Sequence, residues 1–432
     1  MLDFTDHWAG YLSLLIFALA YGLVIFEEAL HLQKSKPVLV AGGCIWALIG
    51  VAYALAGQSA AAHDQALHVI GDYAELFLFL LVAISYVNTM EERRAFEALR
   101  ARLVGLGLSY RQLFLLTGVL AFFLSAVLDN LTTALVMGAV VMAIGATNRR
   151  FVTFGCVSIV VAANAGGVFS PFGDITTLMV WQKGKLEFLT FFALFVPSVL
   201  NWAVPAAILW FAVPVGKPDE QGLRLRAKPG TTGVVVLFAA TIATAIAFKT
   251  WLHLPPALGM MLGLGYLQIW SYVLQLHSRA SPNDEMFLDS FTQIQRVDWD
   301  TLLFFFGIIF AVGGLGVLGY LAGASQLLYV GLGPTAANIL IGLLSAIVDN
   351  IPLMFAVLTM DPTMSEGQWL LITLTCGVGG SILSIGSAAG VALMGQAKGI
   401  YTFSSHLKWS WAVALGYAAS VGAHLLINAS RF

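Results

Sequence analysis

Long apolar runs alternate with short polar loops along the whole chain. A helix that crosses a bilayer needs about 20 mostly apolar residues. Runs of that kind fall at 11–30, 37–57, 73–90, 150–182, 190–214, 231–250, 255–276, 298–318, 367–398 and 408–429. Two more, 110–146 and 334–360, are interrupted at their centres by Asp129-Asn130 and Asp349-Asn350. A polar pair in that position suits a helix–turn–helix hairpin that dips into the membrane and returns on the same side. The runs at 150–182 and 367–398 are too long for simple spans and are broken by glycine-rich stretches, Gly166 to Gly173 and Gly377 to Gly386. Unwound backbone at membrane depth is tolerated only where protein buries it or where it lines a cavity. Four such interruptions point to an internal polar site.

Composition narrows the class. The 432 residues are 59% apolar and 10% charged, against about 45–50% and about 25% in soluble domains. A soluble enzyme, a nucleic-acid binder and a disordered chain are excluded together, leaving an all-α polytopic membrane protein. Cys44, Cys156 and Cys376 lie too far apart for a disulfide framework or a CxxC metal pair. The first run follows Asp3 and Asp6 rather than basic residues, which argues against a cleaved signal peptide. With the N-terminus outside, the 21 basic residues divide 17 to 4 in favour of the inner-side loops, so the positive-inside rule places both termini outside. The stretch Glu91–Arg102 reads as an interfacial helix, with a charged loop as the alternative.

The chain repeats itself. SAVLDNLTTA from Ser125 recurs as SAIVDNIPLM from Ser345, an offset of 220 residues. Gly166-Gly167 followed by Gly173-Asp174 matches Gly379-Gly380 followed by Gly386-Ser387, at an offset of 213. Residues 11–214 therefore correspond to 231–429, joined by a charged cytoplasmic linker over 215–230. Each half holds five crossings and one re-entrant hairpin. An odd number of crossings in each half orients the two oppositely. An inverted-topology repeat with broken helices at matching places is the pattern of a secondary transporter, with its site near mid-membrane.

Three acids fall at the interruptions: Asp129, Asp174 and Asp349. Each costs roughly 2.5–3.5 kcal/mol at the centre of a bilayer, and no Lys or Arg lies in the expected core to neutralise them. A bound cation or protons would supply the missing positive charge. Neutral oxygen donors crowd the same stretches: Asn130, Thr132, Thr133, Asn164, Thr176, Thr177, Ser345, Asn350, Ser384 and Ser387. A hard, small cation prefers oxygen ligands of this kind. Each hydroxyl has a plainer reading as a helix-bonding group, and Asn130 and Asn350 as turn residues. Glu75, preceded by His68 and Asp72, is either a glutamate favourably placed against a helix dipole or a proton carrier.

LDNLTT from Leu128, NAGGVFSPFGDITTLMVW from Asn164 and VDNIPLM from Val348 resemble the NhaD-type sodium/proton antiporters of the ion transporter superfamily, across nearly the whole chain. The resemblance implies a homodimer in the cell (inner) membrane, with a scaffold domain and a moving transport domain that carries both hairpins and both broken helices. It implies Na⁺, Li⁺ and H⁺ as transported ions, no cofactor, no nucleic-acid partner, and a part in pH homeostasis. It implies essential polar positions at Asp129, Asn130, Asn164, Asp174, Thr176, Thr177, Ser345, Asp349, Asn350, Ser384 and Ser387, with Glu75 and His68 in proton sensing. Lys185 stands where a histidine is expected.

The expected mechanism is exchange of cytoplasmic Na⁺ or Li⁺ for external H⁺, with Na⁺ held at Asp129, Asn130 and Asp174 and elevator-like alternating access. A sodium- or proton-coupled anion carrier of the dicarboxylate or arsenite kind is the alternative, although acidic hairpin tips repel an anion. An intramembrane aspartyl protease would need Tyr-Asp and Gly-x-Gly-Asp. Here the chain reads Leu128-Asp129 and Phe172-Gly173-Asp174.

Overall fold

A computed structural model of the chain describes residues 3–25, 27–30, 32–218, 226–280 and 288–432. Residues 219–225, within the linker expected over 215–230, lie outside the described residues. Every regular element among the described residues is helical. Nine helices there are long and apolar enough to cross a membrane: Trp8–Ile25, Ser35–Leu55, Ser59–Glu92, Arg149–Gly167, Phe188–Ala212, Thr231–Thr250, Pro256–Ser278, Trp299–Val317 and Ser410–Ile427.

The interrupted runs are pairs of shorter helices. Tyr110–Ser125 and Asn130–Ile144 flank the first Asp-Asn pair, and Pro334–Leu344 and Asn350–Met360 flank the second. The run at 150–182 consists of Arg149–Gly167 and Ile175–Gln182; the run at 367–398 consists of Glu366–Gly379 and Ala388–Gln396.

Three local features refine the hydropathy reading. The crossing expected at 73–90 is part of a 34-residue helix, Ser59–Glu92. Ala60 to Ala62 and Gln65 to Leu67 are strong helix formers, so the helix persists where apolarity lapses. His68 and Asp72, ahead of the expected crossing, therefore sit on the same continuous helix as Glu75. Arg94, at φ +57°, ends that helix, and Ala95–Val104 follows as a separate one, which settles the charged stretch as helical. After Trp299–Val317 the chain forms a short helix, Tyr320–Ser325, running into a π-helical turn, Gln326–Gly331.

The chain divides into two compact units that do not follow the sequence halves. The first comprises Met1–Thr89, Thr232–Leu332 and Phe355–Pro362. Within it Ser35–Leu55 packs on Trp299–Val317. A Cβ on Gly307 would lie 2.6 Å from the Val38 backbone, and Trp46 Nε1 donates to the Phe310 carbonyl at 2.9 Å. Small residues let helix backbones approach where lipid supplies no hydrophobic drive. Tyr86 donates to the Gly263 carbonyl at 2.7 Å and ties Ser59–Glu92 to Pro256–Ala280.

The second unit comprises Met90–Thr231, Gly333–Met354 and Thr363–Phe432. It contains both Asp-Asn pairs and both helix breaks. Arg149–Gly167 and Glu366–Gly379 are its central helices: every residue from Phe154 to Gly167 and from Gly367 to Gly379 is buried. A helix buried on all sides belongs to an interior.

The two breaks are built alike. A Cβ on Gly166 would collide with the Phe122 carbonyl, and one on Gly379 with the Gly342 carbonyl. Gly173 presses on the Ser125 carbonyl as Gly386 does on that of Ser345. Ser125 Oγ donates to the Ala163 carbonyl at 2.5 Å and Ser345 Oγ to the Cys376 carbonyl at 2.9 Å. These pairs recur at the sequence offsets of 220 and 213 residues.

Candidate functional site

All three aspartates begin helices, and that local role separates them. Asp129 caps Asn130–Ile144: its carboxylate accepts from Thr132 N at 2.8 Å and from Thr132 Oγ1 at 2.6 Å. Asp349 Oδ1 accepts from Ile351 N at 3.1 Å, at the start of Asn350–Met360. A carboxylate there satisfies helix N–H groups left without an intrahelical partner and opposes the helix dipole. Asp174 caps Ile175–Gln182 in the same way, with Oδ1 accepting from Thr176 N and Thr176 Oγ1, each at 2.8 Å. Its second oxygen does something further.

Asp174 Oδ2 accepts from Asn130 Nδ2 at 2.9 Å and from Asn350 Nδ2 at 3.4 Å. Asn130 Nδ2 also lies 3.2 Å from Asn164 Oδ1, and Ser387 Oγ donates to that same oxygen at 3.0 Å. Asn164 Nδ2 is held by the Val160 carbonyl one turn back. One hydrogen-bonded cluster thus joins residues from both Asp-Asn pairs and both breaks. Asp174 is 3% exposed, and Asn164, Asn350, Thr176 and Ser387 are buried with it.

The first residues of Asn130–Ile144, Ile175–Gln182 and Asn350–Met360 contribute side chains or N–H groups to the cluster, so helix N-termini face the carboxylate. The partners of Asp174 are amides, a hydroxyl and a backbone N–H, not Lys or Arg. An amide can turn from donor to acceptor by rotating half a turn. The donor set that holds a bare carboxylate can therefore present oxygens to a cation.

The other expected site residues are placed differently. Thr177 Oγ1 donates to the Asp174 carbonyl at 2.6 Å and to the Ser170 carbonyl at 3.0 Å, bracing the break. Thr133 is buried, and its Oγ1 has no hydrogen-bond partner. Ser345 serves the backbone contact already described, and Ser384 Oγ bonds to Tyr401 OH. Glu75 and His68 belong to the first compact unit, where His68 Nε2 lies 3.9 Å from Asp72 Oδ2. Asp129 and Asp174 share no hydrogen bond, as a protease dyad would require. Among the described residues no group of three or more His, Cys, Asp or Glu side chains gathers as a transition-metal site would.

Three functional neighbours carry weak sequence signals. Cys376 Sγ donates to the Asn350 carbonyl at 3.3 Å, which an isolated apolar cysteine does not announce. Tyr401 and His406, in a polar stretch beyond the second broken helix, reach back into it.

The chain is similar to known transporters over its whole length. A family model described as citrate transporter matches residues 14–377. The Na(+)/H(+) antiporter NhaD of Vibrio cholerae is 53% identical over 100% of this chain and 94% of that protein. The protein of the same name from Alkalimonas amylolytica is 52% identical over 100% of this chain and 93% of its own length. Sodium/proton antiporter 1 of Arabidopsis thaliana is 33% identical, covering 97% of this chain and 72% of that protein.

Proposed function

This chain belongs to the NhaD-type sodium/proton antiporters of the ion transporter superfamily, and on that premise we propose that it exchanges cytoplasmic Na⁺ or Li⁺ for external H⁺ at the Asp174 cluster. The observation that carries this reading is a buried carboxylate met by turnable amides and hydroxyls, without a Lys or Arg partner. Protonation removes the charge; a small cation compensates it. The two occupants compete for the same oxygens, and competition is sufficient for antiport.

In the cation-loaded state Asn130 and Asn350 turn their Oδ1 atoms toward the ion, joined by Asp174 and Asn164 Oδ1. The Thr133 hydroxyl, buried without a partner, is the nearest reserve ligand in sequence, one turn beyond Asn130. Asp129 and Asp349 act through their helix ends, holding the two asparagines at the first position of each helix. A coupled anion carrier fits poorly: the centre of the cluster is itself anionic, and its donors are neutral.

The halves 11–214 and 231–429 form an inverted repeat with re-entrant hairpins at 110–146 and 334–360. The compact unit that contains both breaks moves as the transport body in an elevator-like cycle; its collection of every cluster residue supports that assignment. The protein works as a homodimer in the inner membrane with both termini outside, and His68 and Glu75 tune proton access in the other unit.

Exchange in everted vesicles tests the site. Asp174→Asn abolishes sodium-dependent dequenching, a loss of more than about 100-fold, while wild-type exchange follows proton competition. Below the apparent pKa of the cluster, each unit fall in pH raises the half-saturating Na⁺ about tenfold; above it, half-saturation levels off. Robust exchange by Asp174→Asn, or half-saturation independent of pH, overturns the shared-site mechanism.

A further inference from the structure

The second break contains a strained residue that the first lacks. Ser384 adopts φ +70°, a left-handed conformation that disfavours any residue with a Cβ. It lies between Glu366–Gly379 and Ala388–Gln396, three residues before Ser387. Gly390 of the following helix packs so closely that a Cβ there would strike both the Ser384 carbonyl and its Oγ. Strain of this kind persists only when the surroundings over-determine it.

The surroundings are a buried hydrogen-bonded chain. Ser384 Oγ lies 2.8 Å from Tyr401 OH, Tyr401 OH lies 2.8 Å from His406 Nδ1, and His406 Nε2 lies 2.9 Å from the Ser381 carbonyl. All four residues are buried. A carbonyl only accepts, so Nε2 carries the imidazole proton and Nδ1 accepts from the tyrosine hydroxyl. The tyrosine oxygen then accepts from Ser384. Both ends of the chain fasten on the unwound segment, at Ser381 and Ser384, and bracket it from outside.

The first break has no such clasp. At the 213-residue offset Tyr401 falls on Phe188, which has no hydroxyl and packs on the rings of Phe172 and Trp181. Ring packing and the Thr177 hydroxyl, from the helix that follows, hold the segment before Asp174, whereas a Tyr–His pair from beyond the second broken helix holds the segment before Ser387.

We infer that Tyr401 and His406 are positioning residues for the ion site: they fix the strained Ser381–Ser384 segment and so set the reach of Ser387 to Asn164 Oδ1. The inference rests on the antiport reading of the Asp174 cluster. Neither residue touches the cluster. Their effect is on how well Asn164 is oriented for the cation, and therefore on apparent affinity more than on maximal rate.

The test is Na⁺/H⁺ exchange by the full chain in everted vesicles, measured across a Na⁺ series for Tyr401→Phe, His406→Leu, His406→Gln and Asp174→Asn. Tyr401→Phe and His406→Leu raise the half-saturating Na⁺ about tenfold, with maximal rate within about twofold of wild type. His406→Gln, which keeps an acceptor for Tyr401 and a donor for Ser381, restores most of the affinity. Unchanged half-saturation in Tyr401→Phe and His406→Leu overturns the clasp, as does a fall in maximal rate alone. Where His406→Leu fails to reach the membrane, the near-isosteric Tyr401→Phe decides. Persistent exchange in Asp174→Asn overturns the ion-site reading instead, so the two failures are read from different variants.

Discussion

Arg149–Gly167 with Ile175–Gln182 and Glu366–Gly379 with Ala388–Gln396 break at matching places and rest on matching close approaches, yet they carry different chemistry. The first break presents Asn164 and Asp174. At the corresponding positions the second presents Gly377 and Ser387. The glycines and the serine-to-carbonyl bonds recur because two helix ends must approach a neighbouring backbone in both halves. The carboxylate does not recur at the second break, where Ser387 stands in its place and donates to Asn164 Oδ1. Backbone frame and side-chain chemistry are thus separable at the two breaks: the frame is duplicated, and a carboxylate stands at only one of them.

The largest effect tests the chemical asymmetry. Asp174→Asn abolishes exchange, whereas Ser387→Ala, which removes one donor to Asn164, lowers apparent Na⁺ affinity by about tenfold. The exchanged pair, Asp174→Ser with Ser387→Asp, remains inactive in the vesicle assay because the relocated carboxylate meets the acceptor oxygen of Asn164, whose amide nitrogen is held by the Val160 carbonyl. Recovery of exchange in that double variant would show the halves to be chemically interchangeable.

The next tests the shared frame. Gly166→Ala and Gly379→Ala each push a Cβ onto a buried carbonyl and destabilise the protein by roughly 1–3 kcal/mol, read as a lower melting temperature in detergent. Gly395→Ala, in open space, serves as the tolerated control. Unequal losses at the two frame glycines would break the symmetry argued from their contacts.

The smallest separates the two asparagines. Asn130 meets Asp174 at 2.9 Å and a second acceptor, Asn164, while Asn350 meets Asp174 at 3.4 Å. Asn130→Ala therefore raises the half-saturating Na⁺ about tenfold and Asn350→Ala about threefold. The reverse order in a Na⁺ titration would move the centre of the site to the second Asp-Asn pair.

Much of the fold is legible in the sequence because apolarity and glycine report on local constraints. Asp129-Asn130 and Asp349-Asn350 mark helix starts, and Gly166 to Gly173 and Gly377 to Gly386 mark breaks, since each feature acts within one or two turns. Hydropathy misplaces the start of Ser59–Glu92 because it measures compatibility with lipid, whereas Ala-rich sequence sustains a helix in water as well. Asp129, Asp174 and Asp349 read alike in the sequence as acids within apolar runs. Only the direction of each carboxylate distinguishes them, and that depends on which neighbours face its second oxygen. Thr132 turns back to Asp129, while asparagines from two other helices reach Asp174.

By itself the sequence determined that this is a many-helix membrane protein, where its helices stop, and which residue types could meet a cation, because lipid enforces apolar length and tolerates polar residues only for a reason. Tertiary structure decided the rest. It interleaved the two halves into units that neither half forms alone, joined Asn130, Asn164, Asp174, Asn350 and Ser387 into one cluster, and brought Tyr401 and His406 onto the second break. Hydrogen bonds are short and directional, so groups up to 223 residues apart in sequence become partners only when packing has fixed the backbones that carry them.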